Sequence, residues 1–242
     1  MSDNQVELIK SRLASVYEKI DIAAKKAGRN RDDVKLVVVT KAQSLEITQA
    51  AIDAGAVLLG ENYPQEAVKK IQSLYQYKNI EWHMIGHLQS RKAKIVASHF
   101  NMIHSIDSFA TAQNLDKALS NEGRNIPALL EINIGGELSK SGWQVTKASD
   151  LSNILADIEG ILNLQHLDIR GVMTMPPWNE NPEKSRPYFK LLAEIQKELS
   201  MRFPEQNWRE LSMGTSIDFM VAVEEGATFV RIGQAIVGSR PA

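Results

Sequence analysis

A lysine at the end of an apolar run is the first residue of this sequence that could do chemistry. Leu36 to Val39 are four consecutive apolar residues, typical of a strand buried on both faces, and Thr40 and Lys41 follow them. A lysine in this place is either solvated or salt-bridged, or it is partly desolvated at a site. A partly desolvated lysine can lose its proton near neutral pH and attack a carbonyl carbon to form a Schiff base.

Two segments near the end of the chain have the residues of an anion site. "SMGTS", Ser212 to Ser216, joins a predicted strand to a helix start, and "RIG", Arg231 to Gly233, ends the last predicted strand. Small residues let backbone N–H groups approach an anion, and the start of a helix adds a favourable dipole. The pattern indicates a phosphate site, although a helix cap at Ser216 and a simple turn at Gly233 would also account for it.

A reactive lysine together with a phosphate site favours two kinds of ligand. One is a sugar phosphate, as in Schiff-base aldolases. The other is pyridoxal 5'-phosphate (PLP), which carries both an aldehyde and a phosphate.

Composition removes several other classes of function. The sequence has no cysteine, which excludes disulfides, thiolate metal sites and cysteine nucleophiles. The net charge of -1 gives no reason to expect a nucleic acid or an anionic membrane as a partner. The five histidines lack the spacing of a metal site. The basic run from Arg91 to Lys94 is interpreted as a solvated helix face, with contact to a phosphate-bearing partner as the alternative.

The elements that must position these residues alternate regularly. A first helix ends near Gly28, and eight strand–helix alternations with short connections come after it. This pattern predicts a single α/β domain over 1–242, a closed (β/α)8 TIM barrel with an extra N-terminal helix, because such barrels need about 250 residues. A doubly wound open sheet is the alternative. No signal peptide and no apolar run of roughly 20 residues is present, so we expect a cytoplasmic protein.

In such barrels the chemistry lies at the C-terminal ends of the strands. The residues that the predicted strands deliver to that end include Lys41, Asn62, His83, Met173, Ser212 and Arg231. His83 has two interpretations, a residue at the cavity mouth or a packed strand residue.

Several motifs, taken in order, resemble one family. They are "VVVTKA", "GENYPQEAVKKI", "WHMIGHLQSRKAK", "HSID", "EINIGGELSKSGW", "IRGVMTM" and "LSMGTSIDFMVAVEEGATFVRIGQAIVG". The sequence is similar over almost its whole length to the PLP-binding proteins of vitamin B6 homeostasis, whose barrel, of PLP fold type III, is related to the N-terminal domain of alanine racemase.

The resemblance implies a role for particular positions. The Schiff-base lysine of the family falls on Lys41, and an asparagine near the cofactor ring falls on Asn62. The phosphate-binding segments fall on Ser212 to Ser216 and on Val230 to Gly233. Thr215 stands where the family has methionine, which should not matter if the backbone N–H binds the phosphate. The cofactor-binding residues that we predict are therefore Lys41, Asn62, His83, Met173, Ser212, Gly214, Thr215, Ser216, Arg231 and Gly233.

The resemblance also implies a function. We expect a PLP carrier or homeostasis protein without robust catalysis, a monomer or weak homodimer whose further partners would be apoenzymes that accept PLP. The alternatives are a PLP-dependent amino-acid racemase or lyase and a Schiff-base aldolase. In the related racemases the base opposite the lysine is a tyrosine held by a second domain of the partner subunit. We find no counterpart of that tyrosine and expect little racemase activity.

Overall fold

The computed structural model describes residues 3–239. It begins with a long helix, α1 (Asp3–Lys26). Ile9, Leu13, Val16 and Ile20 recur every three or four residues, and all four are buried on one face of this helix. That face packs against later helices, so α1 covers one side of the molecule as the predicted extra helix.

Nine strands follow within residues 3–239, and all of their pairings are parallel. Eight of them form a ring, because the first strand pairs with the last and the fourth pairs with the fifth. The structure therefore confirms the predicted closed barrel and not the open sheet. A two-residue strand, β6, lies outside the ring against β5 and was not predicted. The strands are β1 (Lys35–Val39), β2 (Leu58–Glu61), β3 (Glu81–Met84), β4 (Met102–Ile106), β5 (Ile126–Asn133), β6 (Trp143–Gln144), β7 (Leu167–Met173), β8 (Glu210–Ser212) and β9 (Phe229–Ile232).

A helix follows each of the eight ring strands and covers the outside of the barrel. None of the helices in residues 3–239 is long and apolar enough to cross a lipid bilayer. The last helix, α9, is a single turn after β9 that the sequence analysis did not predict. The helices are α2 (Leu45–Asp53), α3 (Pro64–Ser73), α4 (Ala93–His99), α5 (Phe109–Glu122), α6 (Leu155–Leu162), α7 (Arg186–Arg202), α8 (Phe219–Glu224) and α9 (Gln234–Val237).

The interior of the barrel is filled in layers. One layer is apolar and packs as a cluster separate from the larger core between strands and helices. Side chains two residues further along β1, β5 and β9 point the same way, since strands alternate with a period of two. Val39, Glu131 and Arg231 therefore form the floor of the C-terminal mouth. The apolar layer beneath them consists of Val37, Met102, Leu129, Met173 and Phe229.

Candidate functional site

A cavity of about 710 Å³ opens at the C-terminal ends of the strands. Its size is within the range of small-molecule sites, which is about 300–1,000 Å³. Six of the ten predicted site residues line it. They are Lys41, Asn62, Thr215, Ser216, Arg231 and Gly233.

The structure does not bring the other four to the cavity wall. Met173 and Ser212 are paired in register, and Ser212 is also paired with Phe229, so both lie in the apolar layer below the floor. His83 is paired with Met102 of the same layer and is fully buried. Gly214 lies behind the wall, packed against α8.

Lys41 follows β1 at a sharp change of backbone direction. The next residue, Ala42, has φ +56°, and it is the only non-glycine residue in the described range 3–239 with a positive φ. This left-handed conformation costs an alanine about 1–3 kcal/mol, and it persists where the surrounding structure enforces it. The turn directs the chain from the end of β1 to Ser44, whose side chain caps α2.

A buried ion pair supports this turn from outside the barrel. Nζ of Lys70 donates to Oε1 of Glu61 at 2.8 Å and to the backbone oxygen of Thr40 at 2.7 Å. The hydroxyl of Thr40 donates to the same carboxylate oxygen at 2.8 Å. The interactions join the residues that directly precede Lys41 and Asn62, so the ends of β1 and β2 are fixed relative to each other.

Asn62 has an acceptor that no group in the described structure satisfies. Its Oδ1 atom is buried without a hydrogen-bond partner. The close approach of Gly86 creates this place, because a Cβ on Gly86 would lie 2.7 Å from Cα of Asn62. An unsatisfied amide on a cavity wall is suited to a ligand with a polar group.

The first anion segment is organised by Asp218. The backbone N–H and the hydroxyl of Thr215 donate to Oδ1 of Asp218 at 2.7 and 3.0 Å, as in a capping box. The Thr215 N–H, which we expected to bind phosphate, is thus already used. The next two backbone N–H groups, those of Ser216 and Ile217, belong to the turn before α8, where N–H groups have no helical acceptor. Both residues line the cavity.

The second anion segment requires a glycine. Gly233 lies between β9 and α9, and a Cβ there would lie 3.1 Å from the backbone oxygen of Val39. The absence of a side chain lets the start of α9 approach the end of β1. Gly233 and Gln234 both line the cavity beside Lys41.

Arg231 is buried at the floor between these segments. Its Nη1 donates to Oγ of Ser212 at 2.5 Å, and its Nη2 donates to the backbone oxygen of Thr174 at 2.8 Å. Burial lowers the pKa of Arg231 to about 10, so the guanidinium remains charged at neutral pH. Burial also raises the pKa of its neighbour Glu131 to about 7, with a further contribution from the negative charge of Asp107.

Other residues of the cavity were missed by the sequence analysis. Nδ1 of His87 donates a hydrogen bond to Oδ2 of Asp107 at 2.6 Å. Lys140 donates to the backbone oxygens of Met175 and Pro176 and pairs with Glu137, so it spans two loops over the mouth. Both residues lie in loops, where apolar periodicity gives no signal. Within residues 3–239 no group of three metal-ligating side chains is found.

This chain matches one family model and is similar to curated proteins that share one name. The family model described as "Alanine racemase, N-terminal domain" matches residues 12–241. A protein of Aquifex aeolicus named pyridoxal phosphate homeostasis protein is 38% identical over 95% of this chain and 97% of its own. A protein of Escherichia coli with the same name is 36% identical over 96% of this chain and 97% of its own.

Solved structures agree with this comparison. PipY of Synechococcus elongatus without PLP has a TM-score of 0.84 at 32% identity, and the match covers 95% of this chain and all of that one. PipY with PLP bound has a TM-score of 0.81 at 33% identity, with the same coverage. An alanine racemase of Clostridium difficile, 16% identical, has a TM-score of 0.71, and this chain spans 58% of its length. That last likeness concerns the fold alone.

Proposed function

The chain belongs to the family described as the alanine racemase N-terminal domain, and we propose that it binds PLP in the cytoplasm for PLP homeostasis. The observation that carries the proposal is that one cavity joins Lys41 to two strand-to-helix turns suited to an anion. An aldehyde and a phosphate on one small molecule match a lysine and an anion site on one barrel mouth. The names of the curated relatives, and PipY with PLP bound, support this choice of ligand.

The residues present fit this cofactor. Lys41 would form a Schiff base with the aldehyde, and the turns at Ser216 and Gly233 would hold the phosphate. The side-chain amide of Asn62, whose Oδ1 has no partner in the described structure, would form a hydrogen bond with a polar group of the ligand. When bound, PLP supplies an electron-accepting ring and a reactive aldehyde.

Arg231 bears on the protonation of the PLP ring nitrogen. A guanidinium donates hydrogen bonds and cannot accept a proton near neutral pH, so Arg231 cannot hold a ring nitrogen in its protonated form. A ring beside it would be a weaker electron sink. This suits a protein that stores or delivers PLP better than an enzyme that transfers amino groups. The name that the curated relatives carry describes homeostasis and not a reaction.

The test is a titration of the purified protein with PLP, followed by visible absorption and by borohydride reduction. We expect a saturable visible band, one covalent adduct per chain after reduction, and the adduct on the peptide that contains Lys41. A Schiff-base aldolase would instead remain colourless and would be trapped by borohydride with a phosphorylated sugar. No band and no adduct with PLP would refute the proposal.

A further inference from the structure

A chain of hydrogen bonds crosses the interior of the barrel below the cavity floor. From Arg231 it runs to Oγ of Ser212, and from there to Nδ1 of His104 at 2.8 Å. Nε2 of His104 lies 3.0 Å from Nδ1 of His83. Nε2 of His83 lies 3.4 Å from Oε2 of Glu81, at the beginning of β3. The chain therefore connects the floor of the cofactor cavity to the opposite end of the barrel.

The two ends of this chain differ in exposure. The side chain of Glu81 is 58% exposed. His83, His104, Ser212 and Arg231 are all buried. Phe229 packs edge-on against both imidazoles, with ring centroids 5.8 Å from His83 and 5.0 Å from His104. The interior part of the chain is thus enclosed by apolar groups.

Burial favours the neutral form of both histidines. Burial lowers the pKa of His83 and holds the pKa of His104 well below its ordinary value. Lys35 of β1 adds a positive charge that acts in the same direction on both, and Arg231 adds another on His104. Glu81 opposes the effect on His83. Its own pKa is lowered, chiefly by the hydrogen bond with His83, and it also faces Lys35 and Arg170.

The carboxylate fixes the direction of every hydrogen bond in the chain. An ionised Glu81 only accepts, so Nε2 of His83 must carry the proton and its Nδ1 must accept. Nε2 of His104 therefore donates, and Nδ1 of His104 accepts from the hydroxyl of Ser212. The lone pairs of that hydroxyl then face Arg231, which can only donate. The exposed carboxylate of Glu81 therefore determines the tautomers of both imidazoles and the direction of the Ser212 hydroxyl.

We propose that Glu81, His83 and His104 are positioning residues that orient the Arg231 guanidinium through Ser212. The inference rests on the proposed function in so far as Arg231 faces PLP. With the chain intact, Ser212 presents an acceptor to Arg231 at all times. Without Glu81 the two imidazoles can exchange tautomers, and the Ser212 hydroxyl loses its fixed direction.

The test compares Glu81→Ala with two other variants. Glu81→Gln keeps an acceptor oxygen. Asp168→Ala removes another half-exposed carboxylate, which pairs with Arg170 on its own strand and does not belong to the chain. Nitrogen-15 NMR of histidine-labelled, PLP-free protein reports the tautomers, and a PLP titration reports the dissociation constant.

We expect both buried histidines of the unchanged protein to be neutral with the proton on Nε2. Glu81→Ala should give mixed tautomers at His83 and His104 and raise the dissociation constant for PLP about fivefold, as for loss of one hydrogen bond. Glu81→Gln should recover most of the affinity, and Asp168→Ala should change neither readout.

Unchanged tautomers or unchanged PLP affinity in Glu81→Ala would overturn the inference. A protein that binds no PLP at all would refute the proposed function, whereas the tautomers in the PLP-free protein would still decide whether Glu81 directs the chain.

Discussion

Nζ of Lys70 lies 2.8 Å from Oε1 of Glu61, and both side chains are buried. Lys70 is on α3 and Glu61 is the last residue of β2, so the pair connects the outer helix layer to the strand end that carries Asn62. The same ammonium group also holds the backbone oxygen of Thr40, directly before Lys41. The pair is therefore a structural support of the cofactor cavity, although neither residue lines it.

Removing one partner of this pair should destabilise the fold strongly. Lys70→Met leaves the Glu61 carboxylate buried without its counterion, a loss that typically costs about 3–5 kcal/mol. We expect the free energy of unfolding from urea denaturation at neutral pH to fall by that amount. Lys69→Met, at an exposed position on the same helix, should stay within about 0.5 kcal/mol of the unchanged protein.

A double variant separates the buried charge from lost packing. Glu61→Gln with Lys70→Met removes both charges and should be more stable than Lys70→Met alone. If Lys70→Met were as stable as Lys69→Met, the ion pair of Lys70 and Glu61 would not stabilise the fold as we infer.

Two lysines line the cavity, and we expect only one of them to react with PLP. Lys140 is held by two backbone oxygens and by Glu137, as an ammonium that bridges two loops. Lys41→Ala should abolish the visible band and the borohydride adduct, while weaker, noncovalent binding through the phosphate remains. Lys140→Ala should keep both the band and the adduct. Mass spectrometry of the reduced proteins gives the measurement, and an adduct in Lys41→Ala would assign the reaction to another lysine.

The fold was predictable because parallel strands buried on both faces give continuous apolar runs that alternate with helices. That Lys41 and Arg231 line one cavity was predictable for a related reason, since strand ends converge at one mouth of a barrel. The layer in which a side chain lies was not predictable. Met173 and Ser212 fall one layer below the floor because of their register with Phe229, and register between strands is absent from a single sequence.

The loop residues of the site were beyond prediction for another reason. His87 and Lys140 reach the cavity from the connections that follow β3 and β5, and the hydrophobic pattern contains no information on the path of these loops. The role of Asp218 was hidden in the same way. Its position three residues after Thr215 is a capping-box spacing, and this signal could have indicated that the Thr215 N–H is not available to a ligand.

Glu131 should make stability fall as pH rises. Its pKa is raised from 4.5 to about 7, first by burial and then by Asp107. Below about pH 4.5 the carboxyl group is protonated in the folded and unfolded states and has no effect. Between about pH 4.5 and 7 the unfolded chain ionises first, so folding loses up to about 3 kcal/mol by pH 8.

The measurement is urea unfolding at pH 5 and pH 8 for the unchanged protein and for Glu131→Gln. The difference between the two proteins isolates Glu131 from other titrating groups. The stability of Glu131→Gln minus that of the unchanged protein should be larger at pH 8 than at pH 5. Glu159→Gln, at an exposed helix position, should follow the unchanged protein at both pH values. An equal effect of Glu131→Gln at both pH values would contradict the raised pKa.

The last prediction concerns catalysis, because the same barrel occurs in alanine racemases. Racemisation at Cα requires a base on each face of the bound amino acid, within hydrogen-bond reach of the proton. Lys41 can serve one face. No tyrosine among residues 3–239 lines the cavity. His87 does line it, but its side chain is 54% exposed at the rim, and its Nδ1 is engaged by Asp107.

We therefore expect PLP-loaded protein to exchange the Cα proton of alanine slowly and largely with retention of configuration. Incubation with L- and D-alanine in deuterated water, followed by mass spectrometry and chiral chromatography, measures both exchange and racemisation. His87→Ala should leave both rates unchanged, since a solvent-exposed imidazole at the rim is not placed to act as the second base. Racemisation on the order of 1–10³ s⁻¹, the range of true enzymes, would show that a second base is present. Loss of this racemisation in His87→Ala would identify His87 as the second base. The protein would then be an enzyme and not a homeostasis protein.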